Sequence, residues 1–248
     1  MKQALFVILF LFTHVASGQN DNSFAFNANN YPPEKYNIKT QPFTFNEFQI
    51  EVTHVSPKDD NQQAEFICRF WILVKSGSKV IDGRYYDNSE SLGGCSGIYA
   101  DKLQHKDYFI LTKYGDYNGE LLLIDITGKI QKYHGGIYHI SDDSKYLFST
   151  YDSDTSGITI FDLSKNKVVF TSDDLKDYIY GFYYKDGKYF GLAQQAVKIP
   201  FKSVIHTFNP KNGSISRSEV DDKYVKKSKQ LNSSKLPADN CQCGNVVE

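Results

Sequence analysis

Four cysteines, Cys68, Cys95, Cys241 and Cys243, are the residues with the most reactive side chains in this 248-residue chain. Thiols persist as disulfides in oxidising compartments and serve metal or redox chemistry in reducing ones. Four cysteines allow three disulfide connectivities. Cys68 with Cys95 is the preferred pair, because it would tie a long strand to the glycine-rich loop that follows. Cys241 and Cys243 form a lone C-x-C in a polar tail. That motif lacks the second pair of ligands a structural zinc requires, so a disulfide that pins the tail, or one within the pair, is the simpler expectation. The stretch Gly93–Gly97 (GGCSG) has the G-x-C-x-G form of a nucleophile elbow. Such an elbow needs a strand before it and a helix after it. Here NSESL precedes and the apolar GIYA follows, so Cys95 is expected in a loop, not as a nucleophile.

Oxygen ligands come next. Asp152, Asp154 and Ser156, followed by Gly157, match the opening of a calcium loop, D-x-D-x-S-G. Alternate oxygen ligands and a glycine at the sharp turn suit calcium, but the bidentate acid is missing, because Leu163 stands at the twelfth position. An ordinary polar hairpin is the competing expectation, and no other cofactor is expected. His54, His105, His134, His139 and His206 stand at no recognised metal spacing from a Cys or acid, so structural or surface roles are expected for them. There is no H-E-x-x-H, no phosphate-cradling glycine loop before a helix and no G-x-S-x-G serine. Glycoside chemistry needs two carboxylates at a set separation, and nothing in the linear order of the acids establishes one.

These residues must be positioned by a fold, and the composition points to strands. Tyr and Phe number 18 each, and Met occurs once. Aromatic and β-branched residues suit pleated, half-buried surfaces. No stretch after residue 18 sustains a helical apolar stripe. The first 18 residues read as a secretory signal: Lys2, then the apolar run Ala4–Phe12, then Ala16-Ser17-Gly18, with cleavage expected after Gly18. The run is too short to span a bilayer, which takes about 20 residues, and no second such run follows. With 28 basic and 29 acidic residues the net charge is −1, or −2 once Lys2 is removed with the signal. Nucleic-acid binding normally needs a basic stripe, so none is expected. About 230 residues can bury about 70% of their unfolded surface, which is enough for a core.

The expected organisation is a signal at 1–18, a flexible, Asn-rich lead-in at 19–42, a β domain at 43–222 and a polar tail at 223–248. Long strands are expected at Phe43–Val55, Ala64–Val74 and Lys79–Tyr86. A repeat then runs in three registers. Its hallmark is a polar turn feeding an apolar strand: LQHKDYFILT at Leu103–Thr112, SDDSKYLFST at Ser141–Thr150 and YKDGKYFGLA at Tyr184–Ala193. Each register opens on GIY, GIY or GFY. The spacing is 39 residues from Gly97 to Gly136 and 45 from Gly136 to Gly181. Four short strands in that span is the period of a propeller blade. Asp186-Gly187 and Asn212-Gly213 read as tight turns.

The phrases SDDSKYL and KDGKYF resemble the turn-and-strand signature of WD-repeat-like β-propellers, and LLLIDITGKI resembles a hairpin of the same broad group, which includes quinoprotein-like propellers. The resemblance covers about Gly97 to Ser218. It departs from the family in having no repeated Trp-Asp pair, Trp71 being the sole Trp. It implies an all-β, propeller-like array of about four four-stranded antiparallel blades, with a β-sandwich as the alternative. It also implies that Tyr99, Tyr138 and Tyr183 hold equivalent channel-side or rim positions. A tyrosine offers a flat apolar face and a hydroxyl, which suits sugars and peptides; the competing expectation for all three is core packing. The function expected is an exported, non-catalytic binding module for an extracellular or envelope protein or glycan. The alternatives are a carbohydrate-active enzyme using carboxylates from several blades, and a structural domain of a larger assembly.

Overall fold

The computed structural model describes residues 26–58, 69–87, 97–114, 119–151, 156–175, 177–195 and 203–234. The signal segment, all four cysteines, Asp152, Asp154 and the side chain of Ser156 lie outside the described residues, as does most of the insertion at 194–202.

Among the described residues eighteen strands form four antiparallel sheets; sixteen of them make four blades in simple up-and-down order, and two short ones join two of the sheets from the C-terminal side. Blade 1 holds β1 (Tyr36–Phe45), β2 (Phe48–Pro57), β3 (Arg69–Ser76) and β4 (Lys79–Asp87). Blade 2 holds β5 (Gly97–Ala100), β6 (Tyr108–Tyr114), β7 (Glu120–Asp125) and β8 (Ile130–His134). Blade 3 holds β9 (Ile137–Ile140), β10 (Tyr146–Tyr151), β11 (Ser156–Asp162) and β12 (Lys167–Leu175). Blade 4 holds β13 (Asp177–Lys185), β14 (Lys188–Gln195), β15 (Ser203–Asn209) and β16 (Ser214–Glu219). This is the propeller-like array expected from the repeat. A sandwich would have two sheets where this chain has four.

Successive blades pack face to face. Phe48, Ile50, Phe70 and Ile72 of blade 1 meet Phe109, Leu111, Leu122 and Ile124 of blade 2. Ile110, Leu121 and Leu123 on the other side of blade 2 meet Tyr138, Leu147 and Phe161 of blade 3. Phe148, Ile158 and Ile160 then meet Ile179, Phe182, Tyr189 and Phe208 of blade 4. Residues alternate between faces along a strand. A strand covered on both sides therefore reads as an unbroken apolar run, as ELLLID does in β7.

The two outer faces are covered differently. On blade 1, Phe26, Tyr31 and Tyr36 pack around Trp71 and Val55. On blade 4, a short helix, α1 (Asp222–Lys226), lays Tyr224 and Val225 on Phe190, Leu192 and Ile205. Among the described residues no apolar cluster joins blade 1 to blade 4.

Three boundaries differ from those expected. The array begins at Tyr36, inside the stretch read as a lead-in. The run Phe43–Val55, read as one strand, is a hairpin that turns at Asn46-Glu47. Asn46 takes a positive φ of 53°, which asparagine tolerates better than other non-glycine residues, but with no glycine the turn carries no strong signal. The third difference is at the C-terminus, where the polar tail enters the sheets. β17 (Lys229–Gln230) pairs with β13, and β18 (Asn232–Ser233) pairs with β9. Between them Leu231 is 3% exposed and sits in the core of blades 3 and 4. Lys229 adds an ion pair to Asp142 at 2.6 Å. Residues 229–234 thus form a strap that ties two blades along their inner strands.

The strap's apolar anchor is one residue, so its contribution can be measured. Truncating a buried leucine costs about 2–5 kcal/mol. Leu231→Ala should lower the urea midpoint accordingly, and an unchanged midpoint would mean that the strap does not stabilise the array.

Candidate functional site

The repeated phrase brings three tyrosines to equivalent places: Tyr108 and Tyr146 open the second strand of a blade, and Tyr189 is the second residue of its own. In blade 3 the preceding turn is held by Ser141, whose Oγ accepts from the backbone N–H groups of Lys145 (3.1 Å) and Tyr146 (2.9 Å) and donates to Asp143 (2.6 Å). In blade 4 it is Asp186-Gly187, with φ of 50° and 76°. Both central residues of a type I′ hairpin turn need positive φ.

Tyr146 and Tyr189 meet across the boundary of blades 3 and 4, with ring centroids 5.6 Å apart. Tyr184 lies 5.1 Å from Tyr189, and Phe208 lies 5.5 Å from Tyr146. This row of four rings floors an open groove. One part, about 360 Å³, is lined by Asp162, Lys165, Lys167, Lys211 and Gly213 among others. It runs into a second, about 350 Å³, bounded by Asp143, Lys145, Tyr184 and Gly187; Tyr146, Pro210 and Lys211 border both. Tyr184 stands on the rim, 38% exposed, whereas Tyr146 and Tyr189 are buried in the floor. Burial pushes the Tyr189 hydroxyl up to about 12, and the hydroxyl is hydrogen-bonded to the Ser141 side chain.

The turn before the fourth strand differs between repeats: it has Gly128 in blade 2, closed over by Phe48 and Ile81 of blade 1, Asn166 in blade 3 and Gly213 in blade 4. At the boundary of blades 2 and 3, the Tyr108 hydroxyl donates to Asn166 Oδ1 at 3.0 Å. Asn166 has φ of 50° and stands just before β12. The matching residue before β16 is Gly213, with φ of 69°. Both positions follow the register pair that closes the hairpin, Asp162 with Lys167 and Asn209 with Ser214. Gly213 has no side chain to offer Tyr146, and nothing lies within 4 Å of where its Cβ would be.

The acids of the groove serve its turns. The Asp162 side chain is 1% exposed. Burial alone would raise its pKa, but hydrogen bonds from Ser164 and Lys165 hold it below the ordinary carboxylate range. Asp143 accepts from Ser141 Oγ and the Lys145 backbone.

The tyrosines singled out in sequence occupy three different settings. Tyr138 is fully buried, and its hydroxyl donates to the Leu103 carbonyl. It is a core residue of blades 2 and 3. Tyr183 stacks on Phe190 at 5.4 Å and stands in register with Gln230 of the strap. Tyr99 is half-buried, its ring lying over Gly97. The strap therefore pairs with the two inner strands that carry Tyr138 and Tyr183. Tyr146 and Tyr189 were in plain view in the repeated phrase; their shared place after the turn was the available signal.

Two other polar groupings lie inside the array. Asp177, 1% exposed, accepts from His206 Nε2 (2.8 Å) and from Arg217 Nε (2.5 Å) and a terminal guanidinium nitrogen (2.8 Å). The Arg217 bonds hold its carboxyl below the ordinary range, and with both oxygens engaged it is a brace across blade 4. His54 stacks on Phe70 at 4.8 Å, and His139 meets Phe182 at 5.0 Å. One ring nitrogen of each, His54 Nε2 and His139 Nδ1, has no hydrogen-bond partner among the described residues.

Among the described residues no cluster of His, Cys, Asp or Glu could hold a metal ion, and no helix is long and apolar enough to cross a membrane. No protein-family model matches the chain, and no curated protein matches it. Solved structures resemble it loosely. The β-propeller domain of the Trilobed protease from Pyrococcus furiosus shares 11% identity at a TM-score of 0.38, over 76% of this chain and 58% of that one. The dihydro-heme d1 dehydrogenase NirN gives 9% and 0.31, over 74% and 47%. A puromycin-hydrolyzing peptidase from Mycobacterium tuberculosis gives 8% and 0.30, over 71% and 28%. This chain spans less than two thirds of each.

Two of the buried histidines, His54 and His139, make stability depend on pH. Burial lowers both from 6.5 to about 4. Between those values the unfolded chain takes up protons that the folded chain refuses. Stability should be greatest above pH 6.5, fall as pH drops towards 4 and level off below, by roughly 3 kcal/mol per histidine. Urea midpoints of the His54→Gln/His139→Gln variant should show a shallower slope over this range. An identical slope would assign the pH dependence to other groups.

Proposed function

We propose that this protein is an exported, non-catalytic recognition module for an extracellular or envelope protein or glycan, and that the groove between blades 3 and 4 receives the ligand. The observation that carries this reading is the groove itself: four aromatic rings from two blades, flanked by lysines, beside Gly213, which has nothing within 4 Å of where its Cβ would be. Ligand sites combine apolar and aromatic walls with a few placed polar groups, and this groove has that make-up. Its two acids are engaged by their own turns, which favours binding over hydrolysis by a carboxylate pair. Export rests on the expected signal at 1–18, and closer kinship to WD-repeat-like or quinoprotein-like propellers rests on the repeated phrases.

Two substitutions test the groove without disturbing the core. Tyr184→Ala removes the rim ring. Gly213→Asn restores the side chain found at Asn166, and asparagine tolerates the positive φ there. Against a ligand isolated from secreted or envelope material or from a glycan screen, each should weaken binding about tenfold, a loss of about 1.4 kcal/mol, with the urea midpoint unchanged. Equal binding by wild type and both variants would place the ligand elsewhere.

A further inference from the structure

The charge of the groove narrows the class of ligand, on the reading that the groove is the binding site. Lys145, Lys165, Lys167 and Lys211 line it against Asp143 and Asp162, a local positive excess in a chain of net charge −1. Lys165 is paired with Asp162 at 3.1 Å. Lys167 and Lys211 are exposed and have no acidic partner within 4 Å among the described residues. Lys145 lies over the Tyr146 ring, 5.7 Å from its centroid, so its ammonium and the ring form one edge of the groove. Three cations therefore flank the aromatic row with their charge unspent.

We propose that the groove takes an acidic oligosaccharide, a pyranose chain bearing carboxylate or sulfate groups. The rings supply flat faces for the sugars, and the lysines supply counter-charges spaced along both sides. An acidic peptide fits less well. Extended peptides are usually held by a ladder of main-chain bonds to a strand edge, and this groove is lined mainly by turns and strand ends.

Binding to the mature chain should be measured for an oligogalacturonate, its neutral methyl ester, a sulfated oligosaccharide and polyglutamate. At least one acidic saccharide should bind, and whichever of the two binds more tightly identifies the anionic group. The neutral ester should bind at least about tenfold more weakly, and affinity should fall as salt rises from about 0.05 to about 0.3 M, because screening shortens the reach of exposed charges. Lys145→Glu/Lys211→Glu should cost a further tenfold or so by reversing two local attractions, with the urea midpoint unchanged. Equal binding of the ester would overturn the charge requirement while leaving a sugar-binding groove. Polyglutamate bound as tightly as the saccharides would make the ligand a peptide. Acid binding indifferent to the lysine reversal would move the site. If none of the four binds, the acidic-saccharide assignment fails, and the Tyr184 and Gly213 variants decide separately whether the groove is a binding site.

Discussion

Leu121, Leu122, Leu123 and Ile124 are consecutive and fully buried, yet neighbouring residues of a strand point to opposite faces. Strand β7 therefore needs an apolar layer on each side, and that requirement organises the molecule. Blade 2 cannot be stable in water without blades 1 and 3. Blade 3 has the same need, met by blades 2 and 4. The demand passes outward until a face can be covered more cheaply. Blade 1 is finished by a knot of aromatic rings from the N-terminal side, Phe26 and Tyr31 against Trp71, and blade 4 by a helix of five residues. Stacking repeats in this way turns several marginal sheets into one continuous core.

The same logic explains what could be read in advance. The strands of blades 2, 3 and 4 were legible because each is a short apolar or alternating run between turn residues, and the runs recur. Asp186-Gly187 and Asn212-Gly213 marked turns because glycine accepts the positive φ that such turns impose. The Asn46-Glu47 turn was hidden because it uses asparagine alone, so two strands read as one. The strap was hidden for a different reason. Lys229, Gln230, Asn232 and Ser233 are polar and exposed, and a strand of two residues has no period. Only Leu231 belongs to the core, and a single apolar residue in a polar tail carries no pattern. The strap is held by Leu231 and by main-chain pairing to β9 and β13, and that pairing depends on the edges those strands leave open, which the strap's own sequence does not display.

The candidate site shows the limit of reading repeats by likeness. Tyr99, Tyr138 and Tyr183 drew notice because they are alike in sequence, yet they lie in unlike settings. The position after the turn, Tyr108, Tyr146 and Tyr189, is also shared, and there the surroundings decide the outcome. Tyr108 is met by Asn166 from the next blade and is closed off. Tyr146 faces Gly213 and is left with space above it. Folding asks the repeats to agree at the positions that pack one blade on the next. It asks nothing of a turn residue whose side chain points into the gap, provided its backbone can hold a positive φ. Asparagine and glycine both satisfy that condition, so the place carries glycine in blades 2 and 4 and Asn166 in blade 3; Phe48 and Ile81 close over Gly128, whereas Gly213 is left in open space above rings that the core already required. An open groove can thus arise on a scaffold from what covers a turn, without adding any element to the fold.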